Sequence, residues 1–418
     1  MSIFGRTGME NRKYQIGTAE NERFLREIQD DLLAFGRRFP SPGGSSWYLG
    51  DDGTPWREKN RETYVTCRMA HVYSLGALLG FEGSEDLVDA ALRGLTGELR
   101  DSVNGGWYTG LTSGNAPLED KLCYVHAFVI LAATSAKLIG RPGADALLRE
   151  ALEVYDRFFW DEEAGLSRDT WDTTFTKLSD YRGLNANMHS VEAFLAVADV
   201  TGDEAYRRRS GRIIDRVLGW AAQNNWRLPE HFTRDWVPDL ECNRERLDDP
   251  FKPYGETPGH GIEWSRLIVQ WALSTYPDDA EKAKPYIEKA EALYSRAVAD
   301  GWNSDGAPGI VYTTDWAGKP IVHDRMHWTL AEAIDTSSVL YRVTGKPVYA
   351  DDYAAFMRYL DEAVLDHAHG SWYHQLDRNN RVSGTVWPGK MDVYHALQAT
   401  LIPRFGANTS IAVAVRGR

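Results

Sequence analysis

The chain has 418 residues with 47 Lys+Arg against 60 Asp+Glu, a net charge of −13, and is 43% hydrophobic and 26% charged. That is the composition of a folded globular protein and excludes a disordered tail. An acidic chain without a Lys/Arg cluster lacks what neutralises phosphate, which excludes nucleic acid and an anionic membrane surface as partners.

Met1–Gly17 holds no apolar run long enough for a signal peptide, and no later stretch approaches about 18 uninterrupted apolar residues, so a cytoplasmic protein is expected. The three cysteines, Cys67, Cys123 and Cys242, show no C-x-x-C spacing. They offer neither a disulfide framework nor a thiolate zinc site, and two of them sit in apolar helical patterns as core residues. Length alone suggests two to three domains of about 150 residues. No Gly/Ser/Pro-rich linker or low-complexity tract divides the chain, so one domain over residues 1–418 is expected.

An amphipathic segment, ENERFLREIQDDLLAFGRRF, opens the helical pattern. Six apolar stretches of helical period follow: RMAHVYSLGALLG, KLCYVHAFVILAATSAKLIG, NANMHSVEAFLAVADVTG, GHGIEWSRLIVQWALSTYP, RMHWTLAEAIDTSSVLYRVTG and MDVYHALQATLIP. Each carries a histidine near its start, at 71, 126, 189, 260, 327 and 395. Five close on a breaker: Gly80, Gly140, Gly202, Pro277 and Gly345. A more charged amphipathic segment follows each breaker, as in ADALLREALEVYDRFF. Twelve helices alternating apolar and amphipathic predict an all-α (α/α)6 barrel, six inner helices inside six outer ones. GGWYTGLTS, GLSRDTWD, GIVYTTDWAGKPIV and GSWYHQLDRNNRV mix aromatic and turn residues, predicting short β-hairpins that crowd one mouth. Function is expected there.

A helix-borne histidine is commonly a packing residue, and His71 reads that way; six in register allow a ring around the mouth. Three have a carboxylate one turn away, His189 with Glu192, His260 with Glu263 and His395 with Asp392, although 60 acids make such neighbours common by chance. His260 stands at a predicted helix N-terminus, where the dipole disfavours imidazolium and leaves a neutral base. Paired neutral histidines suit proton transfer between carbons beside a carbonyl. Two other chemistries stay open. A glycoside hydrolase would need two mouth-facing acids from Glu192, Glu230, Glu263 and Asp392. A metal site would draw on His323 and His327 on one helix face, or on His367 and His369 on one strand face.

NANMHSVEAF, ETPGHGIEWSRL and WPGKMDVYHALQATLIPR, with TCRMAHVYS, GGWY and GIVYTTDWAGKP, resemble the N-acylglucosamine 2-epimerase superfamily, collinearly from about Trp47 to Arg404. Within it the chain looks like the aldose-ketose isomerase branch, which holds mannose isomerases and sulfoquinovose isomerases. The resemblance implies the (α/α)6 barrel, no metal or cofactor, a monosaccharide substrate, and interconversion of D-mannose and D-fructose (or D-lyxose and D-xylulose) through a cis-enediol. It implies that His260 and His395 are catalytic: His395 moves the proton between C2 and C1, and His260 opens the ring and exchanges protons on O1 and O2. It implies substrate contacts for Arg68, Tyr124, Asn185, His189 and Glu263, and mouth aromatics in Trp328 and Trp387.

The chain departs from the sulfoquinovose isomerase pattern at Met391 and His374, where glutamine is expected, and lacks an arginine two residues before Lys252. A thioether cannot donate to a sulfonate, so Met391 favours a neutral hexose, with Lys252 or His374 as the residues able to restore a donor. Sulfoquinovose isomerisation, 2-epimerisation and a non-catalytic sugar-binding barrel are the alternatives, and a homo-oligomer is left open.

Overall fold

In the computed structural model, residues 12–406 and 408–417 are described; most of the Met1–Gly17 stretch read for a leader lies outside them. Six helices form the inner ring: α2 (Thr63–Leu78), α4 (Cys123–Leu138), α6 (Leu184–Thr201), α8 (Pro258–Thr275), α10 (His327–Thr344) and α12 (Tyr394–Phe405). Six more surround them: α1 (Ala19–Gly36), α3 (Ser84–Thr96), α5 (Ala144–Val154), α7 (Glu204–Gln223), α9 (Ala280–Gly301) and α11 (Pro347–Tyr359). Each inner helix packs on the next, and α12 returns to α2. The ring closes because α1, first in the chain, backs α12, the last inner helix. A short α13 (Ile411–Arg416) packs against α12 and α2. The expected (α/α)6 barrel is the architecture observed.

Sequence explains the two layers. On α8 every residue from Pro258 to Ala272 is buried, whereas the outer α9 buries one face only, led by Ala283, Ala290, Leu293, Tyr294 and Ala297. Gly202 and Gly345 cap α6 and α10 at φ of +77° and +69°, the left-handed conformation that stops a helix at little cost only for glycine. Cys67 and Cys123 are buried on α2 and α4.

Pairs of two- and three-residue strands cover one end. Arg61–Glu62, Lys121–Leu122, Arg182–Gly183 and Arg325–Met326 each run directly into an inner helix. Each pairs antiparallel with a strand from a later connection: Lys121 opposite Trp171, Arg325 opposite Leu376. The hairpins therefore gather at the N-terminal ends of inner helices. Two of these corners share one device. Lys121 donates to Asp101 (2.8 Å) and to the Gly105 carbonyl (3.1 Å), while Lys390 donates to Asp366 (2.7 Å) and to the Gly370 carbonyl (2.7 Å). Both acids also take two amides of their own turn. In each pair both side chains are almost wholly out of solvent.

Removing one partner strands the other charge in the interior. Lys121→Met should lower unfolding free energy by about 3–5 kcal/mol in urea titration, and Lys121→Met/Asp101→Asn should recover part of that loss. Equal stability of Lys121→Met and the parent chain would refute this role.

Candidate active site

The hairpin loops and the N-terminal ends of the inner helices line a pocket at one end of the barrel. All eleven residues singled out from the sequence line it: Arg68, Tyr124, Asn185, His189, His260, Glu263, Trp328, His374, Trp387, Met391 and His395. Tyr64, Phe251, Tyr312 and His327 complete much of the wall.

The six-histidine ring is corrected to four. His260, His327 and His395 lie in the first turn of α8, α10 and α12, and His189 lies farther along α6; these reach the cavity. His71 is more than two turns into α2, hydrogen-bonds Ser135 (2.7 Å), and lines a separate cavity beneath. His126 faces away, bonded to the Leu122 carbonyl (2.7 Å) and the Trp107 amide (3.2 Å). A helix rises 1.5 Å and turns about 100° per residue, so an offset of a few positions changes both depth and direction.

Three cavity histidines are pinned alike. His189 Nδ1 donates to Glu192 (3.1 Å), His260 Nδ1 to Glu230 (3.0 Å) and His395 Nδ1 to Glu332 (3.1 Å). A proton on Nδ1 leaves Nε2 as the basic nitrogen. Only the His189 partner is the sequence neighbour. His260 and His395 do not bond Glu263 and Asp392: Glu263 stands 3.9 Å from Arg266, and Asp392 pairs with Arg68 at 3.2 Å. Glu332 was not foreseen; its signal was an acid in the middle of an apolar inner-helix pattern, where burial demands a partner. Glu332 is gripped in turn by Arg266, whose Nε and Nη2 approach its Oε2 at 2.9 and 2.8 Å.

Arg68 forms the other polar wall. It donates to Asp392 (3.2 Å) and the Tyr124 hydroxyl (2.9 Å), and its Nη2 lies 3.4 Å from His395 Nε2. Tyr64, Phe128 and Tyr394 pack their rings around its guanidinium. Trp328 tilts against His260, ring centroids 5.0 Å apart, where a β-carbon on Gly259 would come within 2.7 Å of the indole.

Burial, the nearby Arg68 cation and His327 hold His395 well below the ordinary histidine value. Burial also lowers His189, although Glu192 opposes it. Burial and the neighbouring Glu332 push the Glu263 carboxyl up; burial lifts Glu332 while Arg266 counters it. Asp392 is held below its usual range, since Arg68 and the Tyr394 amide outweigh its burial.

This arrangement answers the alternatives. Of the acids nominated for hydrolysis, Glu192 is bonded to His189 and Tyr394, Glu230 to His260 and Asp392 to Arg68. That leaves Glu263 without the second free carboxylate a glycosidase needs. His323 precedes α10 and binds Asp305 (2.8 Å) instead of sharing a helix face with His327. His367 and His369 are exposed on a turn, one on the Asp361 carbonyl and the other on Asp366. Among the described residues, His189, Glu192 and Glu263 bring ligand atoms within 4.8 Å of one another. Glu192 there already accepts from His189 and Tyr394, and Arg266 stands 3.9 Å from Glu263. Lys252 is outside the cavity lining, its ammonium 3.8 Å from the centre of the Tyr181 ring.

Residues 43–399 match the family model for N-acylglucosamine 2-epimerase (GlcNAc 2-epimerase). The chain is 42% identical over 358 residues to a D-mannose isomerase of Pseudomonas cannabina pv. alisalensis, covering 85% of this chain and 86% of that one. It is 43% identical over 375 residues to a D-mannose isomerase of Thermobifida fusca, covering 89% and 91%. A crystal structure of D-mannose isomerase superimposes with a TM-score of 0.83 at 26% identity, over 90% of this chain and 96% of that one.

The buried rings make a pH prediction. His189, His374 and His395 take up protons less readily folded than unfolded, so the unfolded state binds more protons as pH falls through about 6.5 and stability drops there. Melting temperature should decline below about pH 6.5, and histidine NMR should show the His395 ring neutral at that pH. A His395 resonance titrating at 6.5 would refute the assignment.

Proposed function

The chain belongs to the N-acylglucosamine 2-epimerase family, and on that premise we propose that it is an aldose-ketose isomerase interconverting D-mannose and D-fructose. The D-mannose isomerase relatives at 42–43% identity over most of the chain carry this reading. The cavity supports it, with two histidines from different helices, each tied through Nδ1 to a buried carboxylate.

The chemistry follows from those atoms. With the sugar ring opened by His260, which takes the O1 proton and returns it to the ring oxygen, His395 Nε2 removes the proton from C2. The C–H electron pair forms the C1–C2 double bond and the carbonyl pair moves to O1, giving a cis-enediolate beside the protonated His395. His260 takes the O2 proton and passes it to O1; the electron pair left on O2 forms the C2 carbonyl as the C1–C2 pair takes the proton that His395 delivers to C1. Arg68, 3.4 Å from His395 Nε2, offers a fixed cation to the developing enediolate oxygen and favours the neutral, basic form of that ring. Glu332 and Glu230 position the rings, with Arg266 holding Glu332. Tyr124, Asn185, His189 and Glu263 hold hydroxyls, and Trp328 and Trp387 supply apolar faces for the sugar.

Incubation with D-mannose in D2O, followed by proton NMR, tests the reaction: fructose labelled at C1 is expected, and no fructose overturns the reading. His395→Ala should lower kcat by about 10²–10⁴-fold with mannose still bound. Glu332→Gln presents an amide to Nδ1, which disfavours the working tautomer, and should cost about 10²-fold in kcat with little change in KM. The acid limb of kcat/KM should lie below pH 6.5 and move up in Arg68→Met, measured in the variant's residual activity. EDTA should leave turnover unchanged; inhibition reversed by a divalent ion would point to metal chemistry.

A further inference from the structure

Two histidines in one wall of the cavity carry a bonding pattern that the proton transfers leave unused. His327 begins α10 and His374 comes from the hairpin crossing above it; their rings stack with centroids 3.8 Å apart and planes within 10°. His327 Nδ1 lies 3.3 Å from the His374 carbonyl oxygen, and His374 Nε2 lies 3.1 Å from that of Asp392. A carbonyl oxygen only accepts, so each of these nitrogens carries a proton. Burial keeps the rings singly protonated, lowering His374 to about 3 and His327, with help from His374, well below its ordinary value. The second nitrogens, His327 Nε2 and His374 Nδ1, therefore present lone pairs.

Both lone pairs are buried with no hydrogen-bond partner from the protein, and in a cavity wall such a group is completed by a ligand or by water. Beside them Met391 is already accepting from the Tyr64 hydroxyl (3.2 Å) and has no proton to give. This stretch of wall thus offers acceptors and no donor.

We propose that the His327–His374 stack reads a sugar hydroxyl as a hydrogen-bond donor and thereby rejects an anionic substituent at that position. A neutral hydroxyl has the proton these three side chains lack; a sulfonate or phosphate ester brings only acceptor oxygens against their lone pairs. His374, considered from sequence as a donor replacing a lost glutamine, acts in the opposite sense. The inference rests on the cavity being the sugar site, and it adds His327 to the specificity-determining residues.

Fluorine tests it, because C–F removes the hydroxyl proton and keeps an acceptor. kcat/KM is measured for D-mannose and its 3-, 4- and 6-deoxy and fluoro analogues with the parent chain, His327→Phe (which keeps the stacked ring) and His374→Gln (which supplies an amide donor). At one position the deoxy and fluoro sugars should both be about tenfold or more poorer than D-mannose. That gap should shrink to within about threefold in at least one variant, and the sulfate ester at that position should not compete in the parent chain. A fluoro sugar as good as D-mannose at every position overturns the inference. So does a gap unchanged in both folded variants, or competition by the sulfate ester. Failure of the mannose reading is separate, appearing as no fructose from D-mannose in the parent chain. Calorimetric binding of the same series then decides the wall's polarity, and no binding of D-mannose overturns both.

Discussion

The working parts of this protein depend on a proton held in one place: Nδ1 of a buried imidazole bonded to a buried carboxylate. His189, His260 and His395 each make that bond, to Glu192, Glu230 and Glu332. It orients the ring, settles which nitrogen is basic, and gives the carboxylate a partner that the interior would otherwise withhold. Arg266 extends the device by gripping Glu332 from behind, so the His395 ring rests on two layers of charge-assisted bonds.

Such a site requires a buried setting, and the barrel provides it. The inner helices, buried along most of their length, shield these bonds, while an outer helix such as α9 buries one face only. The hairpins do the remaining work. Four inner helices are entered through a short strand paired to a later connection, and the buried Lys121–Asp101 and Lys390–Asp366 links brace the chain ahead of α4 and α12. A Glu256–Thr314 bridge stands ahead of α8, and the first turns of α8, α10 and α12 carry His260, His327 and His395. Histidines placed deeper, such as His71, become packing residues.

Much of the fold was legible because its signals are local. Helical period, glycine stops and a histidine-marked repeat describe the barrel without any long-range information. The lining residues were legible through motif resemblance, and all eleven meet in one cavity. The hydrogen-bond partners were not. Glu263 is three residues from His260, one turn along the helix, yet the acid that holds His260 comes from Glu230, thirty residues upstream. Glu332 lies 63 residues from His395 and reaches it only because α10 and α12 are neighbours in the ring. His374 illustrates the same limit, since an imidazole can donate or accept and its carbonyl partner on Asp392 decides which.

Sequence by itself determined the class of fold, the identity of the cavity residues and the absence of a thioether-borne donor at Met391, since those depend on side-chain chemistry and periodic spacing. Tertiary structure alone decided which histidines face the cavity, which acid fixes each ring, and which nitrogen is left bare. The physical reason is that a tautomer is set by the one atom within hydrogen-bond reach of the ring, and helices far apart in the chain bring that atom there.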